Sequence, residues 1–205
     1  MLKIYLTRHG QDEDNANGVL NGQRNMPLTV LGVEQANDLA LKIKASGIKF
    51  DKIYSSPLQR ALKTASIINN VLAVDNLEQM PELMERDFGV LTGQPVNIIT
   101  KWCAPNIIKT ATVVYALEAD GLEAFPALLE RAHLVLNKIK KANKKGNVLL
   151  VTHGDIGKMI YTAYYNLDWK DVLRSFHFGN SDLLLLSDNN HPLDPHIFKA
   201  KQFND

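Results

Sequence analysis

Short apolar runs of strand length alternate along this chain with longer amphipathic stretches, and that alternation constrains its fold more than any other feature. Residues 2–7, 51–55 and 147–152 are the strand-like runs. Between the first two, residues 29 to about 46 place Leu31, Ala36, Leu39, Ala40 and Ile43 on one helical face, with Thr29 as N-cap. Ser56 and Pro57 read as the N-cap and first residue of a second helix, whose core side is Leu58, Ala61, Leu62, Ala65, Ile68 and Leu72. A third periodic run starts at Gly121 and passes through Phe125, Leu128, Leu129, Ala132, Val135, Leu136 and Ile139; residues 155–165 form a fourth. Residues 182–187 and 197–201 are expected to be late strands. Strands alternating with helices predict an α/β fold, a three-layer α/β/α sandwich around a mostly parallel sheet. Residues 93–120, with Pro95, Trp102 and Pro105 and no clean period, are expected to be an irregular, variable insertion holding one short helix.

A chain of 205 residues, 45% hydrophobic and 22% charged, is expected to form one domain over 1–205 that needs no disulfide or metal staple. Its net charge is +1, which argues against a broad nucleic-acid surface. The one basic run, Lys138, Lys140, Lys141, Lys144 and Lys145, reads as a solvated helix end. Cys103 is the lone cysteine, and the N-terminus meets Arg8 too soon for a signal peptide or membrane span, so a cytoplasmic protein with no membrane partner is expected. Oligomeric state leaves no signal.

The chemistry lies where strands end. Residues 4–10 are an apolar strand closing in Arg8-His9-Gly10, and residues 149–154 are another closing in His153-Gly154. In open parallel sheets ligands bind beyond the carboxyl ends of strands. The glycine after each histidine permits a tight turn and a close ligand approach. A third strand runs into Ser56 and on to Arg60, in the first turn of the next helix. Two arginines and two histidines at one sheet edge describe an anion site, because the guanidinium fork matches phosphate oxygens. Turn-capping side chains are the other reading of these residues. A metal site needs three or four ligands and would be repelled by the arginines.

Thr7-Arg8-His9-Gly10 resembles the signature of the histidine phosphatase superfamily, in its phosphoglycerate mutase-like branch. Asn15, Gly22, Pro27-Leu28-Thr29, Gly32 and Gln35-Ala36 follow in order. Ser55-Ser56-Pro57-Leu58-Gln59-Arg60-Ala61 with Thr64-Ala65 is similar to its second signature, Leu83-Met84-Glu85-Arg86-Asp87-Phe88-Gly89 with Gly93 to its acid segment, and Val151-Thr152-His153-Gly154 to its last. The resemblance spans residues 2–155 and departs at Asn25, where the family often has an acid. It implies a phosphoglycerate mutase-like fold and a metal-independent, cofactor-free phosphatase. His9 is then the nucleophile; Arg8, Arg60 and His153 surround the phosphoryl oxygens; Asn15 and the Gly154 amide add hydrogen bonds. Glu85 is the implied general acid, with Glu82 as the nearby rival, and Arg86 either touches the substrate or is an exposed arginine. The substrate expected is a small phosphorylated metabolite. A cofactor-dependent phosphoglycerate mutase is the alternative, disfavoured because the insertion is short and holds only Lys101 and Lys109; a non-catalytic binding module is the third reading. His133, His177, His191 and His196 carry no motif and are read as structural or solvated, and Cys103 and Trp102 either line the substrate mouth or, as preferred, serve packing.

Overall fold

A computed structural model describes residues 1–187 and 195–200. Strand β1 (Leu2–Arg8) is followed by a one-turn helix α1 (Glu13–Ala16), α2 (Val30–Ser46), β2 (Lys52–Ser55), α3 (Gln59–Leu72) and β3 (Leu77–Gln79). Two short 3₁₀ turns lead to α4 (Ile98–Trp102), β4 (Ile107–Lys109) and β5 (Val114–Ala116). Then come α5 (Phe125–Ala142), β6 (Gly146–Thr152), α6 (Gly154–Tyr165), α7 (Trp169–Ser175), β7 (Leu183–Leu186) and β8 (His196–Phe198).

The main sheet has the order β3-β2-β6-β1-β7-β8. Its β1, β2, β3 and β6 are mutually parallel, while β7 runs antiparallel to β1 and β8 antiparallel to β7. Alternation along the strands builds two cores. Ile4, Leu6, Val148 and Leu150 face α5 and α6 through Leu128, Ala132, Val135, Ile139, Ile156 and Ile160. Tyr5, Leu149 and Val151 face α2 and α3 through Leu39, Ala40, Ile43, Ala61, Ala65 and Ile68. Parallel strands buried on both faces must be apolar throughout, which is why these runs lack a polar alternation. Each fully buried leucine or isoleucine contributes about 1.5–3 kcal/mol.

Four details differ from the sequence reading. Helix α3 starts at Gln59 with Leu58 as N-cap. Ser56 and Pro57 form the turn before it, where the Ser56 hydroxyl accepts the Leu58 amide (3.3 Å). The 93–120 segment holds the one short helix expected, α4, but also the antiparallel hairpin β4–β5, packed on a small cluster of Leu20, Leu91, Ile99, Cys103 and Ala116. The strand β3 and the helix α7 add to the elements expected. Neither Gly10 nor Gly154 has positive φ; a Cβ on Gly10 would lie 2.2 Å from the Gly32 carbonyl oxygen, so packing against the start of α2, not a tight turn, requires glycine there. Lys201, at the end of the last expected strand, and His191 lie outside the described residues. Among the described residues no helix is long and apolar enough to cross a membrane.

Candidate active site

The β1–β6 register sets Arg8 opposite Thr152, so His9 and His153 each follow the last paired residue of adjacent central strands. Their rings stand 5.0 Å apart between centroids. His9 is 1% exposed, and its Nδ1 lies 2.6 Å from the Gly10 carbonyl oxygen. A carbonyl only accepts, so Nδ1 carries the proton and Nε2 keeps a lone pair. That nitrogen faces Arg60 Nε at 3.2 Å. His153 has the opposite tautomer: Nδ1 accepts from Arg60 Nε (3.1 Å), and Nε2 donates to the Ser56 hydroxyl (2.8 Å).

Arg60 is fully buried beneath a loop. Its Nη1 and Nη2 donate to the carbonyls of Arg24 (2.6 Å) and Gly22 (2.7 Å), so it offers the histidines its Nε and not the fork expected from sequence. The same loop caps α3, since Asn25 Oδ1 accepts the Gln59 amide (2.7 Å). Arg60 Nε also meets the Asp12 carboxylate at 3.1 Å, with both side chains 0% exposed. Asp12, which the sequence reading missed, caps α1 by accepting the Asn15 amide (2.7 Å) and takes a second hydrogen bond from Asn21 (2.6 Å). Its only sequence trace is its place three residues before Asn15, at cap spacing. Arg8 donates Nη1 to the Phe178 carbonyl (3.3 Å), and its buried Nε has no hydrogen-bond partner among the described residues. An unspent charged donor beside a lone-pair imidazole is the chemistry of an oxyanion site.

Burial, and after it the Arg60 and Arg8 guanidiniums, hold the His9 imidazole well below its ordinary range. Burial and Arg60 do the same for His153. Both rings therefore stay neutral in the fold while the unfolded chain protonates them below about pH 6.5. Their stabilising contribution is present above that pH and is lost as acid is added. Asp155, pushed up to about 6 by burial and Glu85, and Asp12, raised by burial, act in the opposite sense. Hence each imidazole removed, as in His9→Asn or His153→Asn, should flatten the decline in urea-measured stability below pH 6.5 by about 1.4 kcal/mol per pH unit. The Asp12–Arg60 pair gives a second expectation: Asp12→Ala strands a buried guanidinium and should cost about 3–5 kcal/mol in urea unfolding, with Asp12→Asn costing less because the α1 cap survives.

Glu85 is buried, and its carboxylate accepts the amides of Arg86 (2.8 Å), Ile156 (3.2 Å) and Asp155 (3.3 Å), which places it on the N-terminus of α6. Gly154 opens that helix, and a Cβ added there would lie 3.6 Å from Glu85 Oε2 and 3.7 Å from Arg8 Cζ. Its amide is among the first-turn donors that have no acceptor inside the helix. Glu82 instead pairs with Lys138 on the surface (2.5 Å). Arg86 is not an exposed arginine: it stacks on Phe125, 3.8 Å from the ring centroid, and donates to the carbonyls of Glu123 (2.6 Å) and Ala116 (3.0 Å).

Beside the histidines opens a chamber of about 550 Å³. Arg8, Asn15, Asn180 and Asp155 line it, together with Leu20, Phe88, Leu91, Ile99 and the hairpin residues Val114 and Tyr115. Asn180 donates to the His9 carbonyl (2.9 Å) and to Asn15 Oδ1 (3.3 Å), tying the chamber to the end of β1. His177 lines the chamber, which motif reasoning did not find, and so does Lys109; Lys101, Trp102 and Cys103 are not part of its lining. Among the described residues no three His, Cys, Asp or Glu side chains are grouped to hold a metal ion.

The family model for the histidine phosphatase superfamily (branch 1) matches residues 4–191. A 2,3-bisphosphoglycerate-dependent phosphoglycerate mutase of Rhizobium etli is 29% identical over 84% of this chain and 85% of its own. The uncharacterized phosphatase PhoE of Bacillus subtilis is 32% identical over 75% of this chain and 72% of its own. Among solved structures, an H9A mutant of Entamoeba histolytica phosphoserine phosphatase in complex with phosphoserine superposes with a TM-score of 0.73 at 26% identity, over 90% of both chains.

Proposed function

The chain belongs to the histidine phosphatase superfamily, and from that premise we propose that it is a metal-independent phosphomonoester hydrolase working through a phosphohistidine on His9. The observation that carries this reading is the His9 tautomer. Its Nδ1 proton is committed to the Gly10 carbonyl at 2.6 Å, so the neutral Nε2, which faces Arg60 Nε at 3.2 Å, keeps the lone pair that attacks. As the Nε2–phosphorus bond forms, the bond from phosphorus to the ester oxygen breaks, and charge spreads onto the equatorial oxygens. Arg8, Arg60 and His153 answer that charge, with Asn15 and the Gly154 amide adding hydrogen bonds. Two guanidiniums thus do what magnesium does in kinases, and no cofactor is invoked. Glu85, on the α6 N-terminus, belongs to the device that protonates the leaving oxygen and later activates water.

The substrate is a small phosphorylated metabolite: the chamber holds about 550 Å³ and sets polar side chains, Arg8, Asn15, Arg86, Asn97 and Asn180 among them, between apolar walls. The phosphoserine named for the Entamoeba neighbour is of that class. The Rhizobium relative keeps a mutase as the second reading. It is the weaker one here because, among the described residues, Lys109 is the only lysine lining the chamber. The test is phosphate release from para-nitrophenyl phosphate and 3-phosphoglycerate in EDTA. Chelator-resistant release supports the hydrolase. No release, with turnover of 3-phosphoglycerate once primed by 2,3-bisphosphoglycerate, would replace it by the mutase; inactivity in both assays would leave a binding module.

A further inference from the structure

The turn that leads into β7 meets the end of β1 at several points. The Ser181 amide donates to the Arg8 carbonyl (3.0 Å), and the Phe178 carbonyl takes Arg8 Nη1 (3.3 Å). Within the turn the Gly179 amide donates to Asp182 Oδ2 (2.7 Å), and the Asp182 amide returns to the Gly179 carbonyl (3.2 Å). Ser181 is held at a φ of 56°, in the left-handed region that a residue with a side chain seldom adopts. Such strain persists only where the surrounding bonds over-determine it. Between these anchors stands Asn180, buried and lining the chamber.

The direction of its amide follows from its partners. The His9 carbonyl only accepts, so the Asn180 atom 2.9 Å from it is Nδ2. An amide nitrogen carries two protons, and the second goes to Asn15 at 3.3 Å. The Asn15 atom that receives it is therefore Oδ1, and Asn15 Nδ2 is left on the other branch of that amide. This nitrogen donates to no other described residue. The Asn15 backbone is fixed separately, by its amide on the Asp12 carboxylate (2.7 Å). A residue that lines the chamber beside Arg8 thus has one committed acceptor and one uncommitted donor.

We infer that Asn180 is a positioning residue: it locks the Asn15 amide so that Nδ2, and not Oδ1, is offered to the phosphoryl oxygens. The inference deepens the phosphomonoester hydrolase reading and rests on its anion site. The two ends of a carboxamide are nearly equal in size, so packing alone does not choose between them. The choice matters because a nitrogen donor makes a charge-assisted bond to a phosphoryl oxygen, whereas a carbonyl oxygen set against it repels. Holding the donor in place before the substrate arrives leaves no reorganisation for the moment of reaction. The His9 carbonyl orients Asn180, and Asn180 orients Asn15, so the nucleophile and a donor to its transition state share one anchor.

The experiment is a double-mutant cycle of Asn180→Asp with Asn15→Ala. It reads the dissociation constant of vanadate by calorimetry, in buffer without chelator, and kcat/KM for para-nitrophenyl phosphate. Aspartate has the shape of asparagine but only accepts, so it captures Asn15 Nδ2 and turns Oδ1 towards the anion. In the wild-type background Asn180→Asp is expected to weaken vanadate and lower kcat/KM by about 10- to 100-fold. In a protein already carrying Asn15→Ala its cost should be at least about fivefold smaller. A smaller difference overturns the inference, because a packing role, or plain repulsion of the anion by the new charge, costs the same in both backgrounds. If Asn180→Asp does not fold, Asn180→Leu carries the cycle. It frees the Asn15 amide to take either orientation, so a loss of about two- to fivefold that disappears with Asn15→Ala supports the lock. No loss, or the same loss in both backgrounds, overturns it. Coupling in vanadate affinity without phosphate release from the aryl ester would sink the hydrolase reading and spare Asn180. Turnover with a phosphate label on the wild-type protein, but no coupling, would sink only the role of Asn180.

Discussion

His9→Ala should abolish phosphate release from every ester tested, by about 10,000-fold or more in kcat. Alanine removes the imidazole whose Nε2 lone pair faces Arg60, so water must attack the ester unaided. Groups that act as a unit lose most of their joint effect when the nucleophile goes, leaving only what binding and charge stabilisation provide. Those remain, since Arg8, Arg60 and His153 are held by contacts that do not depend on the His9 ring: the Phe178 carbonyl, the Gly22 and Arg24 carbonyls, and the Ser56 hydroxyl. KM for a slow variant should therefore stay within about tenfold of wild type, and the acid-labile phosphate label should vanish. Release within about tenfold of wild type, or a label persisting on the variant, would show that another group takes the phosphoryl.

Arg60→Ala carries the next largest effect, a fall in kcat of about 1,000- to 100,000-fold, the range found when an arginine that answers transition-state charge is lost. The difficulty is that Arg60 also neutralises Asp12 at 3.1 Å inside the protein. The single variant leaves a buried carboxylate unpaired and should lose about 3–5 kcal/mol of stability. The double variant Asp12→Asn/Arg60→Ala removes both charges at once, so its urea midpoint should recover while its kcat does not. Arg60→Lys should resemble the alanine variant in rate, because an ammonium cannot meet His9, His153 and two loop carbonyls together. Recovery of activity in the double variant would reduce Arg60 to a structural role.

The parts of this molecule legible from sequence are those where one residue pattern serves one purpose. The polar–apolar alternation of a half-exposed strand is absent from residues 4–6 and 148–151 because both faces are buried, and continuous apolar runs are then unmistakable. The histidines are legible because each ends such a run. The start of α3 is not, because Ser56 serves two masters: it looks like an N-cap, yet its hydroxyl is spent on His153 and on the turn at Leu58. The hairpin β4–β5 is hidden because three-residue strands joined through Thr110 and Thr112 carry no glycine turn signal, and long-range packing on Leu91, Ile99 and Cys103 stabilises them. Asp12 is illegible for a deeper reason. An aspartate in a polar loop reads as solvated, and only the arrival of Arg60, from 48 positions further along the chain, makes it a buried counter-ion. The loop carbonyls that occupy the Arg60 fork leave no trace in side-chain identity at all.

The register of β1 on β6 has a consequence for how this protein opens and how its relatives diverge. Both histidines hang from the two strands at the middle of the sheet, so their floor separates only when the whole domain does. Amide exchange at Leu6, Thr7, Leu150 and Val151 should proceed at the cost of global unfolding. The wall from α4 to β5 rests on its own small cluster and should exchange through cheaper, local openings. Insertions and substitutions in that wall are thus insulated from the strands that carry His9 and His153, and a lineage built on this plan is free to remodel the wall while those strand ends stay the same.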